Sequence, residues 1–226
     1  MKTLKTVFLD LQNIKVIDSS IAYSQYVPLD LSISNLELSK IDIKNNQVFE
    51  NYIENYLQNN QAKVAFGGYN EERNLYKRSG IFNDDDHDER NIHIGLDLWI
   101  KAGTNVLAAL DGTVHGADFN AGIGNYGPTV ILKHTVDEQT FYTLYGHLSL
   151  ESIETIEIGA QFKKGQVLAT LGNASVNGDY APHLHFQIIK DIKDYIADYP
   201  GVCSKNDLNY YLENCPYPNL LLKITK

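Results

Sequence analysis

Several residue types are scarce in this chain of 226 residues, and each scarcity excludes a class of protein. Cysteine occurs only at Cys203 and Cys215, which is too few for the disulfide scaffold of a small secreted protein. The pair could form one bridge or stay as two thiols, and without a Cys-x-x-Cys motif a thiolate metal site is not expected. Methionine occurs only at Met1, whereas the modified lysine of a lipoyl- or biotinyl-type carrier commonly lies beside a methionine.

Positive charge and long apolar runs are scarce as well. Lys and Arg number 19 against 28 Asp and Glu, and the net charge of −9 argues against binding to nucleic acid or to an anionic membrane. No segment is long enough to cross a membrane, and the apolar run near the N-terminus ends at Asp10, short of a signal-peptide core. We therefore expect a cytoplasmic protein, or a periplasmic or cell-wall protein if another route exports it.

The residues that are plentiful favour β-structure. The chain has 15 Tyr, 16 Gly and many Val, Ile and Thr segments. From Asn91 to Leu98 apolar and polar residues alternate with the period of a strand. Further strand-like runs cover Val106–Ala109, Gly112–His115, Thr129–His134, Phe141–Leu144, Val167–Leu171 and His183–Ile189. This pattern predicts a mainly β fold, an antiparallel sandwich or open barrel, with a partly helical N-terminal extension.

Residue composition and hydrophobic pattern divide the chain into three parts. Residues 1–62 form an extension with one amphipathic helix, residues 63–190 form the β core, and residues 191–226 form a C-terminal wrap. The helix is predicted from the apolar stripe of Val48, Phe49, Tyr52, Ile53, Tyr56 and Leu57. Within the core, Lys101–Leu110 resembles Lys163–Leu171, which indicates a turn-and-strand unit used twice. The acidic run Asn83–Glu89 is expected to be a solvated loop.

Histidines provide the candidate chemistry. His183 and His185 are the single His-x-His pair, and on a strand both project from the same face. One of them can hold a metal while the other acts beside it, and the spacing leaves open which does which. His93 and Asp97 can complete the site if Gly95 bends their strand, since a straight strand would separate them by about 13 Å.

Other histidines have different expectations. His147, in Tyr145–Ser149, is a candidate general base together with the non-ligating member of the His-x-His pair. His115 and His134 are expected to be partly exposed surface residues.

Three segments together resemble the signatures of the lysostaphin-type (LytM-like) zinc metalloendopeptidases. They are Asn91–Leu98, Tyr145–Ser149 and Pro182–Phe186, and the repeat copy at Lys163–Ala169 also resembles the core of that family. The resemblance covers residues from about 63 to 190. It implies an antiparallel core of the duplicated-hybrid-motif kind and hydrolysis of peptide bonds, usually in peptidoglycan.

Carried onto this sequence, the resemblance implies one zinc ion per chain, held by His93, Asp97 and His185. It implies that His147 and His183 are catalytic, activating water or stabilising the oxyanion. Gln187 departs from the family pattern, where Glu is common, as does the loop before the His-x-His pair. Two alternatives remain: a non-catalytic β-sandwich binding module, and an intracellular amide hydrolase with a substrate outside the cell wall.

Overall fold

A computed structural model of the chain describes residues 2–78, 82 and 89–225. Most of the acidic run, residues 83–88, lies outside this range, so its expected loop stays a prediction.

The described residues form thirteen strands, five α-helices and three short 3-10 helices. The strands are β1 Tyr26–Pro28, β2 Val64–Gly67, β3 Glu71–Glu72, β4 Ile92–His93, β5 Leu96–Trp99, β6 Asn105–Leu107, β7 Gly112–Asn120, β8 Gly127–Val136, β9 Gln139–Gly146, β10 Gln161–Phe162, β11 Val167–Thr170, β12 His183–Ile189 and β13 Val202–Cys203. The α-helices are α1 Leu4–Asp10, α2 Asn46–Asn59, α3 Leu150–Glu154, α4 Leu208–Asn214 and α5 Asn219–Leu222. The 3-10 helices are Tyr23–Gln25, Leu38–Lys40 and Leu75–Arg78.

Eight strands build the main sheet in the order β1-β2-β5-β12-β9-β8-β7-β10. All neighbours are antiparallel except β1 and β2, which run parallel. The sheet has two different end strands, so it is open, and the mainly antiparallel β-fold predicted from the sequence is confirmed. A three-stranded sheet, β13-β4-β3, carries the first half of the segment that was predicted as one strand.

Strand β12 lies between β5 and β9 and separates the apolar core from the polar site. Leu184, Phe186 and Ile188 point to one face and join the largest apolar cluster of the molecule. His183, His185 and Gln187 alternate with them on the opposite face and are also buried. The strand is therefore buried on both faces, and its polar residues need partners inside the protein.

The internal repeat corresponds to a structural pair. Strands β6 and β11, one from each copy, pair with each other in a separate two-stranded antiparallel sheet. Gly103 and Gly165 precede them at equivalent positions and have φ values of +78° and +76°. Glycine adopts this left-handed conformation without the steric cost that a side chain brings, so both copies keep the same turn.

The N-terminal helix predicted from the apolar stripe is present as α2. Asn45 caps it by accepting a hydrogen bond from the Val48 amide at 3.2 Å. Phe49 and Ile53 are buried, and the Phe49 ring packs edge-on against Trp99 at 5.4 Å. The boundaries at residues 62 and 190 stay predictions, although β1 from the extension pairs with β2 of the core.

Three further expectations can be compared with the structure. Cys203 and Cys215 are both buried and present as thiols. His115 is partly exposed as expected, but the prediction for His134 was wrong because its side chain is fully buried. His134 bonds to the Asp111 carbonyl at 2.9 Å and the Thr143 hydroxyl at 2.7 Å, which are long-range partners that a single strand pattern does not reveal. No helix in the described part of the chain is long and apolar enough to span a membrane.

Candidate metal centre

Three predicted ligands meet where β4, β5 and β12 come together. His185 lies directly opposite Asp97 in the antiparallel pairing of β12 with β5, and His93 ends the short strand β4. The distance from His93 Nε2 to His185 Nδ1 is 2.8 Å. Asp97 Oδ1 lies 3.3 Å from each of these two nitrogens. The three side chains thus present one donor atom each to a common point, as a metal site requires.

Gly95 makes this convergence possible, in agreement with the prediction. The chain leaves the strand conformation between β4 and β5, so His93 and Asp97 approach each other although they are four positions apart in the sequence. The glycine also provides room, because a β-carbon at this position would lie 2.3 Å from His185 Cε1. The absence of a side chain at residue 95 is therefore a steric requirement of the His185 ring.

Hydrogen bonds to the outer ring nitrogens of His93 and His185 determine which nitrogen of each ring carries the proton. His93 Nδ1 donates to the Gly68 carbonyl at 2.8 Å, which leaves a lone pair on Nε2. His185 Nε2 donates to Gln187 Oε1 at 2.9 Å, which leaves a lone pair on Nδ1. Two lone pairs 2.8 Å apart repel unless a cation lies between them. Asp97 Oδ1 is buried without a hydrogen bond beside them, so the donor set fits a divalent cation.

Arg73 holds the second carboxylate oxygen of Asp97. Its Nη1 donates to Asp97 Oδ2 at 2.7 Å, and its Nε donates to Glu71 Oε2 at 2.5 Å. Burial would raise the pKa of Asp97, but His93 and the Arg73 guanidinium hold it well below its usual range. The carboxylate is therefore charged in the folded protein, with Oδ1 oriented toward the two imidazoles.

His147 and His183 form a pair beside the three predicted ligands. Their ring centroids are 4.2 Å apart, and His183 Nε2 lies 3.8 Å from Asp97 Oδ1. The Nδ1 of His147 donates to the Asn177 carbonyl and that of His183 donates to the Ala181 carbonyl, both at 2.8 Å. Burial lowers the pKa of His147 well below its ordinary value and that of His183 to about 4. Both rings are neutral near pH 7, with Nε2 left as a proton acceptor.

The backbone at His147 is in a conformation that side chains rarely adopt. Its φ is +63°, in the left-handed region, directly after β9 ends at Gly146. The His147 amide donates to the Tyr126 carbonyl at 2.9 Å, and its carbonyl accepts from the Gly172 amide at 2.9 Å. These bonds hold the residue in a conformation that costs about 1–3 kcal/mol. Such cost is common at functional positions.

A cavity of about 260 Å³ contains all five predicted site residues in its lining. The structure thus brings His93, Asp97, His147, His183 and His185 together, while their individual roles stay predictions. Arg73, Tyr76 and Tyr126 also line the cavity, and the sequence did not single them out. Arg73 lies in a polar stretch near the start of the predicted core, and no spacing rule relates it to Asp97. Only the tertiary contact identifies it.

Part of this chain is similar to known proteins. Residues 91–196 match the profile of peptidase family M23. An uncharacterized metalloprotease of Haemophilus influenzae is 36% identical over 95 residues, which are 42% of this chain and 18% of that protein. The peptidoglycan DD-endopeptidase ShyC of Vibrio cholerae is 36% identical over 98 residues, which are 43% of this chain and 20% of that protein. The match spans about a fifth of the length of either relative.

Solved structures of similar proteins overlap with this chain in part. The catalytic domain of lysostaphin from Staphylococcus simulans is 23% identical, covers 54% of this chain and 80% of its own, and has a TM-score of 0.33. The catalytic domain of the prophage-encoded M23 protein EnpA of Enterococcus faecalis is 22% identical, with coverages of 53% and 84% and a TM-score of 0.37.

The family match and the site coincide in the sequence. All five predicted site residues fall inside the matched segment, and the same segment supplies β4, β5, β9 and β12. The segment of this chain that is similar to peptidase family M23 is therefore also the segment that builds the candidate metal centre.

Proposed function

We propose that this chain is a zinc-dependent endopeptidase that hydrolyses peptide bonds in peptidoglycan-type peptides. The observation that carries the proposal is the convergence of two imidazole lone pairs and a carboxylate oxygen within 3.3 Å of one another. The substrate class is supported by the relative named as a peptidoglycan DD-endopeptidase, which is 36% identical to this chain over 98 residues.

Zinc is supported by donor type and spacing. Two neutral imidazoles and one carboxylate are typical of catalytic zinc sites, which keep a fourth position open. Tetrahedral zinc with ligands at about 2.0–2.1 Å separates neighbouring donors by about 3.3 Å. The two nitrogen–oxygen distances here are 3.3 Å, and the nitrogen–nitrogen distance of 2.8 Å requires only a small opening of the site.

The residues of the chain divide the chemistry between them. Zinc, when bound, supplies a Lewis acid that polarises the scissile carbonyl and makes nearby water more acidic. One of the two histidines, His147 or His183, takes a proton from the attacking water at Nε2 and returns it to the nitrogen of the departing amine. Their Nδ1–H groups stay hydrogen-bonded to the Asn177 and Ala181 carbonyls, so the rings keep their orientation while the proton moves.

The test combines metal analysis with digestion of a defined substrate. The purified protein is expected to hold about one zinc per chain and to cleave peptide cross-links of purified peptidoglycan, with products identified by mass spectrometry. His185→Ala is expected to lose the metal. His147→Ala is expected to keep the metal and lose activity by about 10²–10⁴-fold, the usual contribution of a general base.

Lys133→Ala is the matched control, because Lys133 is exposed on β8 and does not line the cavity. A zinc-loaded protein that cleaves neither peptidoglycan nor a panel of peptides and small amides would contradict the proposal. A protein that cleaves peptides but not peptidoglycan would contradict only the substrate class.

A further inference from the structure

Gln187 is the third polar residue on the site face of β12, two positions after His185. Its side chain is fully buried. Its Oε1 accepts the hydrogen bond from His185 Nε2 at 2.9 Å. The other ring nitrogen of His185, Nδ1, is the one that faces His93 and Asp97. The buried Gln187 amide therefore contacts His185 and does not reach the point where the donor atoms of His93, Asp97 and His185 converge.

The amide nitrogen of Gln187 is held by the C-terminal part of the chain. It donates to the Pro200 carbonyl at 3.1 Å and to Cys215 Sγ at 3.3 Å. A side-chain amide has two N–H donors, and both are used here. Rotating the amide by half a turn would place its oxygen against the Pro200 carbonyl and its N–H groups against the His185 N–H. The orientation of Oε1 toward His185 is therefore determined by partners outside the ligand set.

We propose that Gln187 is a positioning residue that keeps the His185 proton on Nε2, directs the Nδ1 lone pair to the metal and thereby sets metal affinity. Pro200 and Cys215 contribute by orienting the Gln187 amide. This inference rests on the metal centre of the proposed function. Groups that orient metal-binding histidines in this way typically change metal affinity by about 10–100-fold when they are removed.

The amide suits this position better than a carboxylate does. A glutamate at residue 187 would still accept from His185 Nε2, but an ionised oxygen would face the Pro200 carbonyl where the amide now donates. It would also add a further negative charge to a buried site in which the Asp97 carboxylate would already reduce the charge of a divalent ion to +1. The residue that departs from the family pattern thus matches the acceptors that the C-terminal segment brings to it.

The variants Gln187→Met and Gln187→Glu separate the two functions of the amide, which are to accept a hydrogen bond from His185 and to donate to Pro200 and Cys215. Methionine keeps a similar length without an acceptor, so zinc affinity, measured by competition with a chromophoric chelator, is expected to fall about 10–100-fold. Glutamate restores the acceptor, so affinity is expected to return toward the wild-type value while the metal-free protein unfolds at lower temperature. Cys215→Ala is expected to lower affinity in the same direction by a smaller factor.

Ile188→Val is the control, because it shortens a buried side chain of the same strand on the opposite face. A zinc affinity of Gln187→Met equal to that of the wild type would overturn the proposal, and an unchanged affinity of Cys215→Ala would remove Cys215 from it. Nitrogen-15 NMR of the zinc-loaded wild type needs no variant: a proton on Nε2 of His185 is expected, and a proton on Nδ1 would overturn the assignment. A wild type that binds no zinc would instead refute the metal centre of the proposed function.

Discussion

Substituting Gly95 by alanine tests the steric requirement at the centre of the metal site. The new β-carbon would lie 2.3 Å from His185 Cε1 and 2.5 Å from its Nε2, where ordinary contacts begin at 3.4 Å. The ring must therefore retreat by about 1 Å, whereas metal ligands tolerate deviations of about 0.2 Å. Its Nε2 is already bonded to Gln187, so the retreat also breaks that hydrogen bond. We expect zinc affinity to fall by at least about 100-fold, the upper end for changes that act around a ligand.

The assay is chelator competition on the metal-stripped protein, with thermal unfolding measured in parallel. Overpacking at residue 95 is expected to cost about 1–3 kcal/mol of stability. Gly103→Ala is the control, because nothing lies within 4 Å of its β-carbon position and its φ of +78° imposes a backbone cost of about 1–2 kcal/mol. It is expected to destabilise the fold without changing zinc affinity. Unchanged zinc binding by Gly95→Ala would refute the argument.

Two further predictions concern buried charged and titratable groups. Replacing Arg73 by leucine leaves the buried Asp97 carboxylate without its ion-pair partner. The free energy of unfolding of the metal-free protein, measured with urea, is therefore expected to fall by about 3–5 kcal/mol. A fall of less than about 1 kcal/mol would contradict the ion pair. Burial lowers the pKa of His134 to about 4 from its ordinary value of 6.5, so the unfolded chain binds a proton that the folded protein excludes as the pH falls from 6.5 toward 4. As the pH falls from 7 to 5, the contribution of His134 is expected to lower the free energy of unfolding by about 2 kcal/mol. A His134→Asn variant whose stability depends on pH as strongly as that of the wild type would contradict this account.

The position of Arg73 has a consequence for the ligand it contacts. The guanidinium neutralises part of the Asp97 charge through Oδ2, while Oδ1 stays directed at the two imidazoles. In the proposed metal site, a carboxylate that shares its charge in this way would donate less electron density to a cation and would leave it a stronger Lewis acid. The ion pairs of Arg73 with Asp97 and Glu71 would then help the bound cation to stay electrophilic.

Sequence by itself determined the elements with strong local signals. The alternation from Asn91 onward and the other strand-like runs predicted the antiparallel sheet, because a strand with one apolar face has a period of two. The stripe around Phe49 and Ile53 predicted α2, and the repeat predicted that β6 and β11 have matching turns. The glycine between His93 and Asp97 predicted a break, since a straight strand would keep these side chains apart.

Tertiary structure decided what depends on contacts between distant segments. His134 resembles a surface residue in its own strand and is buried because β7 and the loop at Asp111 cover it. Arg73 has no local signal, because its partner Asp97 lies 24 residues later in the chain, on β5. The sequence separated the predicted roles of His183 and His185 only through a family resemblance. In the structure, the register between β12 and β5 places His185 opposite Asp97 and His183 opposite Trp99. Register depends on how two strands pair, so neither strand's sequence contains it alone.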